Sequence, residues 1–186
     1  VSAARTFEQL VLPCLDSGYN LARWLLRDEA AAEDVVQEAA LRAFRYLDSL
    51  QGHAARPWFL RIVRNTCYSW IEDRDTGREL TGWDDEQLER LQADAGHVAA
   101  DPAELLSRSR ERARIEIAIR ALAPAYREMI VLREIEGLDY ADIALVASIP
   151  IGTVMSRLSR ARALLRRVLD QPVVGHGKLE RRDGNG

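Results

Sequence analysis

The chain has 186 residues, 47% of them hydrophobic and 30% charged, with a formal net charge of −3, which is room for one ordinary domain or two small ones. No run reaches the roughly 18 apolar residues of a membrane span, and the start lacks a basic segment followed by an apolar core, so a soluble, cytoplasmic protein is expected. Cys14 and Cys67 lack C-x-x-C spacing and His53, His97 and His176 stand singly, which argues against a disulfide framework or a metal-ligand cluster and for two buried free thiols.

The amino-terminal part reads as helix throughout, with no alternating strand pattern. Phe7, Leu10, Val11 and Leu15 form a first apolar stripe interrupted near Pro13, and Tyr19, Leu21, Ala22, Leu25 and Leu26 form a second. In "AEDVVQEAALRAFRYLDSL" the residues Val35, Val36, Ala39, Ala40, Ala43, Phe44 and Leu47 fall on one side. Asp34, Gln37, Glu38, Arg42 and Arg45 fall on the other. Such a face is either ordinary solvated surface or a shape that an Arg-lined partner helix grips bidentately. After a loop around Gly52, "RPWFLRIVRNTCYSWI" supplies apolar mass from Trp58, Phe59, Ile62, Val63, Thr66 and Trp70, and a polar, basic edge from Arg56, Arg61, Arg64 and Asn65. Aromatics at this spacing serve either as core or as platforms for stacking bases, and core is the expectation for Trp58 and Ile62.

Charge is unevenly spread. Val1–Ile71 is neutral, whereas Glu72–Glu104 carries eleven acids against three bases, a net −8. Leu105–Asp170 is +4 and Gln171–Gly186 is +1. The acidic stretch is broken by Gly77, Gly82, Gly96 and Pro102 and keeps a brief helical pattern only in "DDEQLERLQA", so it reads as a connector between two lobes. It is either simply solvated or laid along a positive surface of a partner.

In the basic lobe, Gly137 can end one helix and Asp139 can cap the next, whose inward face is Tyr140, Ile143, Ala144 and Ala147. A turn through Ser148 and Ile149 follows, with Pro150 where a helix start tolerates a missing N–H. Ile151, Val154, Leu158, Ala161 and Leu165 then make one buried stripe. Thr153, Met155, Ser156, Arg157, Ser159, Arg160 and Arg162 face outward or flank it, and no acid occurs from Ile149 to Val168. Hydroxyls and guanidinium forks suit phosphates and base edges, which an acid would repel. Helix, tight turn, helix predicts a DNA-reading helix-turn-helix, with Ala144 and Gly152 as small residues for close helix approach. A plain basic amphipathic helix is the alternative.

Together, "AEDVVQEAALRAFRYL", "RPWFLRIVRNTCYSWI" and "LAPAYREMIVLREIEGLDYADIALVASIPIGTVMSRLSRARALLRRVL" resemble the extracytoplasmic-function (ECF) group of bacterial RNA polymerase sigma factors, from about Phe7 to Leu169. The resemblance implies an all-α protein of two small helical domains joined by an acidic flexible linker: a sigma-2 domain over 1–75, a linker over 76–104 and a sigma-4 helix-turn-helix domain over 105–170. The tail 171–186 is expected to be disordered. The resemblance further implies that Asp34, Gln37, Glu38 and Arg42 dock on the clamp helices of the polymerase β′ subunit, with sigma-4 at the β flap. Arg56, Arg61, Arg64 and Asn65 would contact the minus 10 element, and the loop Gln51–Ala55 would capture an extruded base. Thr153, Met155, Ser156, Arg157, Ser159, Arg160 and Arg162 would contact the minus 35 element, with Thr153, Arg157 and Arg162 on phosphates. An anti-sigma factor is an implied partner.

Two departures from the family pattern stand out. Ser69, Ile71, Glu72, Asp73 and Arg74 replace an acid followed by arginines, and two acids near promoter phosphates weaken contact there. Met155 stands where many members carry a basic residue, and suits a thymine methyl. No nucleophile–base pair, metal cluster or phosphate-cradling glycine loop is visible, so a non-enzymatic protein without metal, catalytic residues or cofactor is expected. A stand-alone helix-turn-helix regulator is the alternative reading. It explains Ser148–Arg162 but leaves the Asp34–Glu38 face unaccounted for.

Overall fold

The computed structural model describes residues 3–50, 54–74 and 110–170. The expected acidic linker with its brief helix, the Gln51–His53 part of the base-capturing loop and the carboxy-terminal tail lie outside these. Among the described residues all regular structure is helical. Helices α1 (Ala3–Leu10), α2 (Leu15–Leu26), α3 (Glu29–Arg45) and α4 (Ala55–Arg74) form an amino-terminal lobe. Helices α5 (Arg110–Arg120), α6 (Pro124–Ile130), α7 (Tyr140–Ala147) and α8 (Ile151–Asp170) form a carboxy-terminal one. No single helix among them is long and apolar enough to cross a membrane.

The breaks between helices follow local chemistry. Pro13 sits in a 3₁₀ turn, Leu12–Cys14, that separates α1 from α2, because its ring removes a donor from the helical ladder. Helix α2 ends at Arg27 in the left-handed region (φ 59°), whose N–H returns to the Arg23 carbonyl. Asp28 then caps α3 by accepting from the Ala31 N–H at 3.0 Å, the arrangement that satisfies an orphan amide at a helix start. Pro124 opens α6 at its first turn, where a missing N–H costs nothing.

In the amino-terminal lobe, α2, α3 and α4 pack mutually. Leu21, Phe59, Leu60 and Val63 are fully buried between them, and burying each such side chain stabilises by about 1.5–3 kcal/mol. Trp58 joins this core at 8% exposure, as expected, and Ile62 packs against it. Close approach of α2 to α4 depends on Gly18: a Cβ there would lie 2.8 Å from Phe59 Cε1 and 3.2 Å from Val63 Cγ2. Leu10 and Phe44, expected inside, are instead 41% and 46% exposed. Phe44 lies at the rim of the α3 face and meets Phe7 edge-on, ring centroids 5.4 Å apart.

The carboxy-terminal lobe contains the expected helix-turn-helix. Asp139 caps α7, accepting from the Asp142 N–H at 2.8 Å. Ser148 takes a left-handed conformation (φ 56°) that ends α7. The Pro150 carbonyl then accepts from Thr153 and Val154 to start α8. Helices α7 and α8 cross with a bend of 100°, within the range of helix-turn-helix units. Val154, Leu158 and Ala161 are buried as the stripe predicts, and Leu165 packs against the core. Ile151 does not follow the stripe: it is 47% exposed at the first turn, beyond the reach of α7. Gly152 has nothing within 4 Å of where its Cβ would lie, so it does not mediate a close crossing.

Before α7, the last turn of α6 widens into a π-turn, Val131–Ile135. The Glu136 N–H reaches Val131 and the Leu138 N–H reaches Leu132, at 2.9 and 3.0 Å. Gly137 closes the turn at φ +69°, a conformation that glycine adopts without strain.

The two lobes are not separate bodies. Helix α4 lies against α7, α2 lies against α6, and one continuous apolar core runs through both lobes. Gly18→Ala is expected to destabilise the chain by about 1–3 kcal/mol in urea denaturation, since overpacking against Phe59 outweighs the gain in helix propensity. Cys14 and Cys67 are both free and buried. Burial pushes both thiols up in pKa, and nearby Glu128 adds to the effect at Cys67. Neither is expected to react with a disulfide reagent in the native protein, and both are expected to react promptly in denaturant.

Candidate nucleic-acid interface

The α3 face is presented to solvent as the sequence predicts. Asp34 and Gln37 are exposed, and Glu38 pairs with Arg42 one turn on at 2.8 Å. Both of these side chains remain more than two-fifths exposed, so the pair contributes only about 0.3–0.5 kcal/mol and exchanges readily for an outside partner.

Helix α8 offers a mixed surface. Met155 (53% exposed) and Ser159 face outward, while Thr153, Ser156 and Arg160 are half-buried at its flanks. The Ser156 hydroxyl donates to the Thr153 carbonyl at 3.1 Å. Arg157 departs from expectation. It is buried at 9% exposure, because it falls next to Leu158 and Val154 on the side that α6 and α7 cover. Arg162 is half-buried, and its Nε and Nη2 both donate to Glu134 Oε1, at 3.0 and 2.7 Å.

The four residues expected on the minus 10 face divide into two pairs. Arg61 and Asn65 are exposed. Arg56 and Arg64 are held by the carboxy-terminal lobe. Arg64 Nε donates to Glu128 Oε1 at 2.5 Å, and its guanidinium lies 4.4 Å from the centroid of the Tyr68 ring. The Tyr68 hydroxyl donates to the second Glu128 oxygen at 2.8 Å. Glu128 is fully buried and the Arg64 side chain is 12% exposed. Burial alone would lower the Arg64 pKa, but Glu128 and Tyr68 outweigh it and hold the guanidinium above its usual range. Burial, then Glu128, raise the Tyr68 phenol well above the usual tyrosine range.

Arg56 is held by a second cluster. Its Nη2 donates to Glu136 Oε2 at 2.5 Å and to the Glu136 carbonyl at 2.8 Å, and its Nε donates to Ser17 Oγ at 3.1 Å. Asn20 Nδ2 completes the site on Glu136 Oε1 at 3.2 Å. Glu136 follows directly on the π-turn, and that widened turn aims it across the gap between lobes.

A third contact uses backbone alone. Arg127, 2% exposed, donates through Nη1 to the Trp24 and Leu25 carbonyls and through Nη2 to those of Arg120 and Leu122, at 2.7–3.4 Å. One guanidinium thus closes the carbonyl ends of α2 and α5, where a cation is favoured. Burial, then the charge of Arg27, lower the Arg127 pKa. Arg27 itself donates to the Arg120 carbonyl. Beside these contacts, a pocket of about 190 Å³ is lined by Ser49, Trp58 and Arg61 of one lobe and Leu145 of the other. Trp58 Nε1 donates to Ser49 Oγ at 3.2 Å within it.

The sequence reading passed over Arg127, Glu128, Glu136 and Tyr68. A signal was present: Arg127 and Glu128 interrupt the apolar run "PAYREMIVL" on a helix that is otherwise buried on every side. Charges placed so are seldom buried unless paired. Beyond the expected footprint, Arg74 lies 4.1 Å over the Trp70 ring, so the end of α4 carries a cation on an aromatic face beside Glu72 and Asp73.

The sigma-70 region 2 family matches residues 10–76 and the sigma-70 region 4 family matches residues 112–165. The chain is 33% identical over 174 residues to the RNA polymerase sigma-H factor of Pseudomonas aeruginosa, covering 91% of this chain and 89% of that protein. It is 32% identical to the ECF RNA polymerase sigma factor SigE of Mycolicibacterium smegmatis over 89% of this chain, and spans 62% of that relative's length. The sigma factor RpoE of Bartonella quintana, solved in complex with the anti-sigma factor NepR, superposes with a TM-score of 0.65 at 29% identity, over 89% of this chain and 98% of that one. An exposed acidic-amide face on α3, a basic edge on α4 and a helix-turn-helix in α7 and α8, matched in that order by two family regions, make this chain a member of the ECF group of sigma-70 family sigma factors, transcription-initiation factors of RNA polymerase.

Proposed function

We propose that this chain binds core RNA polymerase and directs it to a class of promoters with two separate DNA-reading surfaces, one on residues 1–75 and one on 105–170. The observation that carries the reading is the pairing of an outward Asp34–Gln37–Glu38–Arg42 face with a helix-turn-helix whose second helix carries no acid from Ile151 to Leu169. A repressor needs only the second.

Docking runs through the α3 face, whose carboxylates and amide suit Arg-rich helices such as the β′ clamp. The minus 10 element is met by Arg56, Arg61, Arg64 and Asn65, and the minus 35 element by Thr153, Met155, Ser156, Ser159, Arg160 and Arg162. Among these, Met155 and Ser159 are the residues on α8 best exposed for base edges, and Met155 favours a thymine methyl. Arg162 reaches a phosphate once Glu134 releases it. Arg157, buried against the α8 core, acts by holding that helix in place rather than on a phosphate. The protein works in the cytoplasm and is not itself an enzyme, since nucleotide addition belongs to the polymerase it recruits. An anti-sigma factor, as in the complex of the Bartonella quintana relative, is the regulatory partner, and the acidic connector fits a positively charged channel of the polymerase.

In vitro transcription of genomic fragments with core polymerase is expected to give new RNA 5′ ends, each preceded by a shared two-part motif, only when this chain is present. Gln37→Ala with Glu38→Ala is expected to lower that signal about tenfold or more at limiting protein, the equivalent of ~1.4 kcal/mol or more in docking. Ser159→Ala should relax sequence preference in the upstream half of the motif, by about 1–3 kcal/mol per lost base contact. Absence of new starts, with the protein alone shifting a duplex, would overturn the reading in favour of a stand-alone regulator.

A further inference from the structure

We infer that Met155 is an oxidation site built into the DNA-reading surface: a hydroperoxide converts its thioether to the sulfoxide, which removes the thymine contact and reversibly lowers initiation from promoters that depend on it. The inference rests on the proposed reading of Met155 against a thymine methyl.

The chain holds four sulfur atoms, in Cys14, Cys67, Met129 and Met155. Three of them are shut away. Cys67 and Met129 have no exposed surface, and Cys14 is 7% exposed with its Sγ–H donating to the Leu10 carbonyl at 3.3 Å. Burial also holds both thiols in the protonated form, whereas the thiolate is the reactive species. Met155 alone of the four is open, at 53% exposure. A thioether needs no ionisation to be oxidised, so access decides which sulfur reacts.

The open sulfur lies at the centre of the surface that reads DNA. From Ile151 to Arg162 the exposed residues are Ile151, Gly152, Met155 and Ser159. Ile151 and Ser159 stand one turn before and one turn after Met155, so the three side chains form a single row along α8. Gly152 adds no bulk beside that row. An isoleucine, a thioether and a hydroxyl in line suit thymine methyls and a neighbouring base edge. The arginines lie off the row: Arg157 is buried, Arg160 is half-buried and Arg162 is bound to Glu134.

The chemistry is an oxygen transfer. The sulfur lone pair attacks the outer oxygen of the hydroperoxide, and the S–O bond forms as the O–O bond breaks. Sulfur gives up two electrons, and the departing hydroxide or alkoxide takes a proton to leave as water or an alcohol. The product carries a strong acceptor oxygen and no donor. Thymine offers a methyl group and the O4 acceptor in the major groove, and neither pairs with an acceptor. One turn on, the Ser159 hydroxyl can instead donate to the sulfoxide, which withdraws it from its base. Met155 is not part of the apolar core, so the fold is unaffected. Helix α3 contains no sulfur, so docking on polymerase is unaffected too.

The test treats the full chain with dilute hydrogen peroxide and quenches it with catalase before untreated core polymerase and template are added. Peptide mass spectrometry is expected to place one added oxygen on Met155 and none on Met129, at unchanged helicity by circular dichroism. Output at limiting chain from the promoters mapped above should fall about five- to tenfold, the order of cost of an unpaired polar group at a buried contact. Competition for core should be unchanged, and methionine sulfoxide reductases of both epimer specificities should restore output. Met155→Leu, whatever its starting output, should lose none of it on treatment, and Met129→Leu should lose as much as the parent. On templates carrying each base in turn at the position where Met155→Ala relaxes preference, the oxidised chain should no longer favour thymine. Oxidation of Met129 or Cys67 ahead of Met155, or an equal loss in Met155→Leu, would overturn the inference. The failures are distinguishable. An untreated chain that yields no polymerase-dependent starts sinks the sigma-factor reading, and a base preference indifferent to Met155→Ala sinks the thymine contact and the inference with it. A thymine preference that depends on Met155 yet survives its complete oxidation sinks the oxidation site alone.

Discussion

The structure turns on one buried carboxylate. Glu128 sits in a helix whose neighbours Ala125, Tyr126, Met129 and Ile130 are all buried, and an ionised side chain there is tolerable only if both oxygens are occupied. Arg64 and Tyr68, one turn apart on α4, occupy them. The requirement cannot be met within the carboxy-terminal lobe as it is folded, so it binds that lobe to α4. Arg127, the adjacent residue, does the converse with backbone: it supplies a cation to the open carbonyl end of α2. Two consecutive residues thus face opposite polar deficits, and both are met across the boundary between lobes.

This arrangement gives α4 two jobs. Its apolar side, with Phe59, Leu60 and Val63, holds the amino-terminal lobe together. Its basic edge, through Arg56 and Arg64, is neutralised by Glu136 and Glu128 of the other lobe. The same contacts explain why the two lobes, which differ in charge and are separated by an acidic stretch in sequence, share one core.

Local features were legible from sequence because they depend on near neighbours. The Asp139 cap, the Pro13 break, the turn before Pro150 and the Val154–Leu158–Ala161 stripe all follow from spacing within one or two turns. The outward face of Asp34, Gln37, Glu38 and Arg42 was legible for the same reason. What was hidden depends on residues far apart in the chain. Arg64 and Glu128 are 64 positions apart and Arg56 and Glu136 are 80 apart, so periodicity could assign the arginines an outward direction but not the body they meet. Arg157 and Ile151 misled in opposite senses, because a helix stripe gives a direction and not the extent of the neighbour that covers it. Gly18 was silent, since its role is the absence of a side chain opposite Phe59.

The central claim, that the Arg64–Glu128 pair is what fixes one lobe on the other, is tested most directly by a double-mutant cycle with methionine at both positions, read as unfolding free energy. Arg64→Met and Glu128→Met are each expected to cost about 3–5 kcal/mol, because each strands its buried partner. The double substitution should cost less than either single one, since an apolar pair of similar volume needs no partner. Additive single and double effects would contradict the account, and would mean that the remaining contacts between the lobes hold them together without this pair.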